Sequence, residues 1–406
     1  MRYKVGMTPT LPPLAMPAFT ATSAMGTGLA ATRKALRARR GGLAPCDLPG
    51  MPEGIWVGRV PGLEEVALPE SLARYDCRNQ RLAELALRQD GFAGAVAEAA
   101  ARFGAHRVAV VMGTSTSGIA ETEAAYARRG ADGSLPPEFD FTHTHDLYAL
   151  PRYLRARLRL RGPAAAVSTA CTSGARTFLE AQSMIAAGFC DAAVVGGVDT
   201  LCRMTLHGFN SLELLSRGAC RPCAADRDGI SIGEAAGLAL LIRAEDAPEG
   251  TVALLGAGAS ADGHHMSSPH PEGLGAIAAM RAALEAAGEG PGEHGVDYIN
   301  LHGTGTRAND AMEGNAVRAL FGDRVPCSST KGWTGHTLGA SGALEAVIAA
   351  LCVADGLVPG CLGVETPDPG FGVDVAVANR AAPVRRVLSN SFGFGGSNLA
   401  LVIGRA

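Results

Sequence analysis

One cysteine and two histidines in this chain have the types and surroundings to do covalent chemistry. Cys171 stands in Ala164-Ala-Ala-Val-Ser-Thr-Ala-Cys171-Thr-Ser-Gly-Ala175. His302 stands in Val296-Asp-Tyr-Ile-Asn-Leu-His302-Gly-Thr304-Gly-Thr306, and His336 in Ser328-Ser-Thr-Lys331-Gly-Trp-Thr-Gly-His336. A thiol becomes a strong nucleophile once its proton is removed. Two imidazoles near it would offer N–H donors to a developing oxyanion. The set suits acyl transfer on thioesters, with sulfur taking the acyl group. Glycine beside each histidine lets a substrate approach the backbone. Each residue alone has a plainer reading: a buried cysteine packs as a small hydrophobe, and a lone histidine is usually a packed or surface residue. The three together are much harder to dismiss.

The elements that must hold them can be read from pattern. Ala164 to Ala170 reads as a buried strand, and Arg176 to Phe189 as a helix with Phe178, Leu179, Met184 and Ile185 at helical spacing. Cys171 then lies at a strand-to-helix turn, facing free N–H groups and the positive end of a helix dipole. That placement is expected to favour thiolate over thiol. Both histidines follow apolar or β-rich runs.

The chain also repeats itself. Arg107-Val-Ala-Val-Val-Met-Gly-Thr-Ser-Thr parallels Val296-Asp-Tyr-Ile-Asn-Leu-His-Gly-Thr-Gly-Thr. Ser168-Thr-Ala-Cys171, then Leu179-Glu-Ala, parallels Ser329-Thr-Lys-Gly, then Leu344-Glu-Ala. Ala236-Gly-Leu-Ala-Leu-Leu-Ile-Arg243 parallels Asn398-Leu-Ala-Leu-Val-Ile-Gly-Arg405. Three matches in one order predict two copies of a βαβ-rich unit. Residues 1–247 would form the half carrying Cys171, and 248–406 the half carrying both histidines, with a boundary near Asp246–Gly250. The active site would lie between the halves.

Composition sets outer bounds. The 406 residues are 47% hydrophobic, include 53 Gly, and carry a formal net charge of −3. That is ample for a large core, and gives no support for nucleic-acid binding. The 10 Cys lack the spacing of a disulfide framework and read as reduced thiols in the cytoplasm. No apolar run is expected to reach the ~18 residues of a membrane span. Met1 to Ala30 carries Arg2 and Lys4, but Pro9, Pro12, Pro13 and Pro17 break any apolar core. It is a poor signal peptide and reads as an irregular first strand and connection.

Five motifs in order then carry a resemblance: Ser168-Thr-Ala-Cys171-Thr-Ser-Gly174, Asp226-Arg-Asp-Gly-Ile-Ser-Ile-Gly-Glu234, His302-Gly-Thr-Gly-Thr306, Lys331-Gly-Trp-Thr-Gly-His336 and Asn390-Ser-Phe392-Gly-Phe394-Gly-Gly396. The chain resembles the β-ketoacyl-acyl-carrier-protein synthases, condensing enzymes with a Cys-His-His triad. Val110 to Gly118 and Asn210 to Ser216 are similar to members of the aryl-polyene type. The resemblance implies a thiolase-like α/β fold of duplicated halves, layered α-β-α-β-α.

It also implies roles. Cys171 would take the acyl group, with the N–H groups of Cys171 and Phe394 holding the thioester oxygen. His302 and His336 would stabilise the enolate left when a malonyl extender loses CO2. Lys331, paired with Glu345, would act electrostatically and structurally. Phe392, Gly393, Phe394 and Gly395 would form a movable gate, with a second loop at Asp262. Thr304 and Thr306 would bond pantetheine amides, while Thr116 and Phe209 would contact substrate, the Thr116 hydroxyl opening the acyl pocket or suiting an unsaturated or aryl chain. Asn300, Glu345, Ser389 and Asn390 match positions that hold a structural monovalent cation in relatives. No cofactor would be required, since phosphopantetheine arrives on the acyl carrier protein. The assembly would be a homodimer by default, or a heterodimer with a chain-length-factor-like homologue.

Several features have two readings. Arg33 to Arg40 and Arg128-Arg129 would dock an acidic carrier protein, or be solvated helix faces. Glu213 lies where some relatives present Arg, which would alter the docking surface. His264, His265 and His270 read as loop histidines before a metal site, and Cys220 and Cys223 as plain thiols before a redox or zinc pair. A thiolase would need a second cysteine where Asn390 to Phe394 stands. The Cys-His-Asn branch is opposed by Lys331 to His336. A catalytically silent partner subunit would usually lack the nucleophile.

Overall fold

In the computed structural model, residues 11–288 and 295–406 are described. Arg2, Lys4 and Pro9 lie outside them. Eleven strands build the main sheet. They are β1 (Leu14–Ser23), β2 (Gly26–Thr27), β3 (Val108–Gly113), β4 (Ala164–Val167), β5 (Ala192–Asp199), β6 (Ala235–Arg243), β7 (Val252–Ala261), β8 (Tyr298–Asn300), β9 (Cys327–Ser328), β10 (Arg386–Gly393) and β11 (Ser397–Arg405). The spatial order is β9-β8-β10-β11-β7-β1-β6-β5-β3-β4, with β2 beside β1.

This order is one pattern used twice. In the first half β3 runs parallel to β4 and β5, while β6 is antiparallel to β5 and β1. In the second half β8 runs parallel to β9 and β10, while β11 is antiparallel to β10 and β7. The halves join at one corner, where β1 meets β7 through Leu14↔Leu254 and Ala15↔Ala253. The repeats in the sequence fall on equivalent strands: β3 with β8, and β6 with β11.

Of the eleven α-helices among the described residues, nine frame the sheet: α1 (Gly28–Ala38), α2 (Arg78–Leu87), α3 (Phe92–Phe103), α4 (Ala149–Arg157), α5 (Ser173–Ala186), α6 (Arg203–Ser211), α7 (Leu274–Ala286), α8 (Arg307–Phe321) and α9 (Ser341–Asp355). α5 and α9 pack on each other and against both halves of the sheet, forming the middle layer. α2, α3 and α4 cover the first half, and α7 with α8 the second. This is the thiolase-like α-β-α-β-α arrangement. Every residue of α9 from Ser341 to Val353 is buried. A helix apolar on all sides has no solvent face to offer.

That helix corrects the membrane expectation. The 18-residue stretch Leu338–Asp355 is long and apolar enough to cross a bilayer by length and composition, yet 89% of it is buried inside the protein. Two boundaries near Cys171 also shift. The strand stops at Val167 rather than Ala170, and the helix begins at Ser173 rather than Arg176. The first turn of α5 carries little apolar periodicity. Local bonds make it instead, from Ser173 Oγ to Ala170 O at 2.6 Å and from Thr169 N to Ser173 Oγ at 2.9 Å.

Candidate active site

Cys171 is buried at the turn between β4 and α5. The turn is sharp: Ala170 takes the left-handed backbone, φ 52°. His336 Nε2 lies 3.0 Å from Cys171 Sγ. One ligating atom each from Cys171, His302 and His336 falls within 4.8 Å of the others. The two imidazoles meet edge-on, centroids 5.3 Å apart.

Each histidine is held by its backbone. His336 follows Gly335 (φ 75°) and forms a bridge with the Asp226–Glu234 motif, His336 N donating to Ser231 O at 2.7 Å and Gly233 N to His336 O at 3.0 Å. His302 N and Gly303 N donate to the two oxygens of Glu313, at 2.8 and 2.7 Å. Asp310, one helical turn earlier on α8, accepts from Gly305 N at 3.1 Å and Cys223 N at 3.0 Å. Two carboxylates at i and i+3 thus cradle the His302–Gly305 loop.

Lys331 fixes the ring of His302. Its Nζ donates to Glu345 Oε1 at 2.5 Å and lies 3.4 Å from His302 Nδ1. An ammonium has no lone pair, so His302 Nδ1 accepts and Nε2 carries the proton. Burial, the Lys331 charge and, for His302, the other imidazole hold both histidines well below their usual range. Both rings are neutral at pH 7.

The thiolate expectation fails at rest. Burial pushes the Cys171 thiol up to about 11, against the opposing pull of Lys331 and the Phe394 N–H. Desolvation outweighs the helix end. The resting pair is thiol and imidazole.

Cys171, His302 and His336 share one cavity of about 340 Å³ with Thr304, Thr306, Phe209, Phe392, Phe394 and the 262–269 loop. The Thr304 and Thr306 hydroxyls lie 2.9 Å apart. A Cβ on Gly393 would sit 3.3 Å from Cys171 N, so glycine brings this loop against the nucleophile. Gly395 (φ 83°) turns the chain back. Phe209 and Phe394 pair across the mouth, centroids 5.9 Å apart. The two loops are tied, with Gly395 N donating to Met266 O and Asp262 N to Gly396 O, both at 2.8 Å. Asp262 also accepts from Asn398 Nδ2 at 2.8 Å and His270 N at 3.1 Å.

The family model described as β-ketoacyl synthase, N-terminal domain, matches residues 80–247, and the C-terminal domain model matches 252–365. The chain belongs to the β-ketoacyl synthase family. It is 35% identical over 318 residues to 3-oxoacyl-[acyl-carrier-protein] synthase 2 of Vibrio cholerae, covering 74% of this chain and 76% of that one. It is 40% identical over 265 residues to the protein of the same name in Rhizobium meliloti, covering 61% of this chain and 62% of that protein's length. Its structure matches a chain from the complex of a ketosynthase with its chain length factor from Xenorhabdus doucetiae, with TM-score 0.88, 39% identity, and coverage of 98% and 99%.

Within this β-ketoacyl synthase site, some expectations need correction. Thr116 does not line the cavity. It is buried, its hydroxyl donating to Asp199 Oδ1 at 2.9 Å and accepting from Thr200 N at 3.1 Å. Arg33 and Arg37 are bound to Asp355, and Arg39 reaches Val377 O at 2.8 Å and Asn379. That half of the suggested docking run braces α1 against α9. Arg128 pairs with Glu138 at 2.6 Å on the surface. Glu213 does line the mouth. Cys220 Sγ bonds Lys331 O at 3.3 Å, and Cys223 contacts Cys361; all ten cysteines are free. Among the described residues the histidines of the 264–270 loop form no metal-ligating group of three.

The cation expectation has support in this synthase. Asn300, on β8, pairs in register with Ser389 on β10. Asn300 Oδ1, Asn390 Oδ1 and Glu345 Oε2 are buried with no hydrogen-bond partner among the described residues. Such unpaired oxygens fit a hard monovalent cation.

Sequence reasoning missed Glu313 and Asp199. The spacing of Asp310 and Glu313, just after the His302 motif, would have revealed the first pair.

Proposed function

We propose that this chain catalyses decarboxylative Claisen condensation, joining an acyl group held on Cys171 to malonyl-acyl-carrier protein and releasing β-ketoacyl-acyl-carrier protein. The carrying observation is the 3.0 Å contact of Cys171 Sγ with His336 Nε2 inside a cavity that also holds His302. In the first half-reaction His336 Nε2 takes the thiol proton, sulfur forms the new thioester, and the carrier's pantetheine thiol leaves with that proton. The oxyanion sits at the N–H groups of Cys171 and Phe394. In the second, His302 Nε2–H and His336 donate to the malonyl thioester oxygen as CO2 leaves. The enolate carbon attacks acyl-Cys171, the C–S bond breaks, and the leaving thiolate takes a proton from solvent, which restores the thiol.

Among the described residues, His336 Nδ1 has no hydrogen-bond partner. Nothing therefore locks its tautomer, and Nε2 is free to accept in one half-reaction and donate in the other. Lys331 and Glu345 supply charge and position. A monovalent cation held by Asn300, Asn390 and Glu345, with Ser389 alongside, would brace the loops that carry the histidines. No other cofactor enters the scheme.

The acyl carrier protein is the proposed partner, docking at the mouth near Phe394 and Glu213. The working assembly pairs two chains of this fold, either two copies or this chain with a chain-length-factor-like homologue. The similar Xenorhabdus doucetiae chain comes from such a complex, and β4 is an edge strand. A pathway of the aryl-polyene type is supported by segments 110–118 and 210–216. Free cysteines throughout fit a reducing cytoplasm.

Intact-protein mass after incubation with a panel of acyl-carrier proteins, beside Cys171→Ala, tests the reading. An acyl shift lost in Cys171→Ala supports it, and the best-loading chain indicates primer class. No shift with any donor, with or without a partner homologue, would sink it.

A further inference from the structure

Asp199 ends β5 and is fully buried. Its carboxylate accepts from Thr114 Oγ1 at 2.7 Å, Ser115 N and Thr116 N at 2.8 Å each, and Thr116 Oγ1 at 2.9 Å. Those donors form the exit from β3. A further bond comes from the other half of the duplication, where Gly339 N donates at 2.6 Å. Gly339 lies three residues past His336, just after Leu338 in the left-handed backbone, φ 53°.

The same carboxylate reaches the nucleophile through one more link. Ser115 Oγ lies 3.5 Å from Ala170 O, on the sharp turn before Cys171. The junction has no slack. A Cβ on Gly339 would stand 2.7 Å from both Asp199 Oδ2 and Ser115 Oγ, and one on Gly174, in the first turn of α5, would stand 2.7 Å from Gly339 O. No cation bonds Asp199 among the described residues; every donor is neutral. Burying a carboxylate is costly, and its bonds fix geometry in return.

We propose that Asp199 is a positioning residue that sets the Cys171–His336 separation, by tying the turn that supports Ala170 to the turn that follows His336. The inference rests on the reading of Cys171 as the nucleophile and goes beyond it. None of the residues that supply the five donors lines the cavity, so Asp199 acts through the pair it holds.

A double-mutant cycle tests this without any acyl donor. Iodoacetamide alkylation of Cys171 at pH 7 is followed by peptide mass spectrometry in Asp199→Asn, His336→Ala and the double variant. Positioning predicts a fall of about tenfold for Asp199→Asn alone, and less than about twofold on the His336→Ala background, because the contact it protects is already gone. Equal falls on both backgrounds would overturn the proposal. So would an unchanged rate, or a faster one, which would mean the carboxylate acts on the thiol through charge alone. Thr114→Val removes one donor and keeps the charge. Should Asp199→Asn not fold, it decides by the same pattern, with a fall of about threefold expected. Because iodoacetamide replaces the substrate, failed acyl loading would sink the condensation reading and leave this result standing.

Discussion

A neutral thiol facing a neutral imidazole is the resting state at residue scale, and burial decides it. That has a stability consequence. His302 and His336 resist protonation in the fold, whereas in the unfolded chain they protonate near 6.5. Below that pH the unfolded state binds more protons, so stability is lost as pH falls, at about 1.4 kcal/mol per pH unit for each histidine. Urea titrations at pH 7.5, 6.5 and 5.5 should show that decline, and a His302→Asn, His336→Asn double variant should flatten it by up to about 2.7 kcal/mol per unit. An unchanged slope would mean that the rings titrate normally. The roles of the two histidines also separate. His302→Ala should slow malonyl decarboxylation by about 100- to 1000-fold while loading of Cys171 stays within a few-fold; His336→Ala should damage both, since its Nε2 touches the thiol. Separate loading and decarboxylation assays read the split. Burial and then the Lys331 charge depress both rings; Lys331→Met removes the second, so the acid limb of the decarboxylation profile should move to higher pH. Cys171 and His302 were legible because they closely follow strand ends, whereas Lys331 with Glu345, on helices, came only with the family resemblance. The high thiol pKa was not, because desolvation depends on atoms far away in the chain.

At the scale of elements, two loops border the cavity. Asp262 joins them through Gly396 O, His270 N and Asn398. Asp262→Ala should speed amide exchange of Gly395 and His270 about tenfold by hydrogen-exchange mass spectrometry, with β10 and β11 unaffected. A uniform increase would mean global destabilisation instead. Gly393→Val should abolish loading, since even a Cβ there crowds Thr169 O at 3.1 Å and Cys171 N at 3.3 Å. Alternation of Gly and Phe from 392 to 396 made this loop visible in the sequence. What the alternation cannot carry is the knot that closes it, for Asp262 lies 136 residues from Asn398. The same holds for Asp199 and Gly339, 140 apart. Thr116 was misplaced for the converse reason: a hydroxyl beside the pocket was read without the buried carboxylate that claims it.

Over the whole molecule, the duplication was legible since both copies keep the same apolar strands and glycine turns. The single corner contact of β1 with β7 was not, as it involves two residue pairs. Among the described residues, β4 leaves one edge unpaired. Val110 N bonds Pro163 O and Thr114 N bonds Val167 O, so odd-numbered residues face β3 and Ala164 and Ala166 face outward. Ala166→Pro should remove an outward donor without disturbing the inner ladder, and turn a dimer into a monomer by light scattering at micromolar concentration. A dimer that persists would place the interface elsewhere. The duplication has one more result. With the Gly-Thr of the two repeats aligned, His302 falls opposite Met112, and Lys331 opposite Ala170. Met112 is apolar and fully buried, so the first copy carries no imidazole where the second does. The two copies have become a donor and an acceptor of one proton, and each half alone is chemically mute.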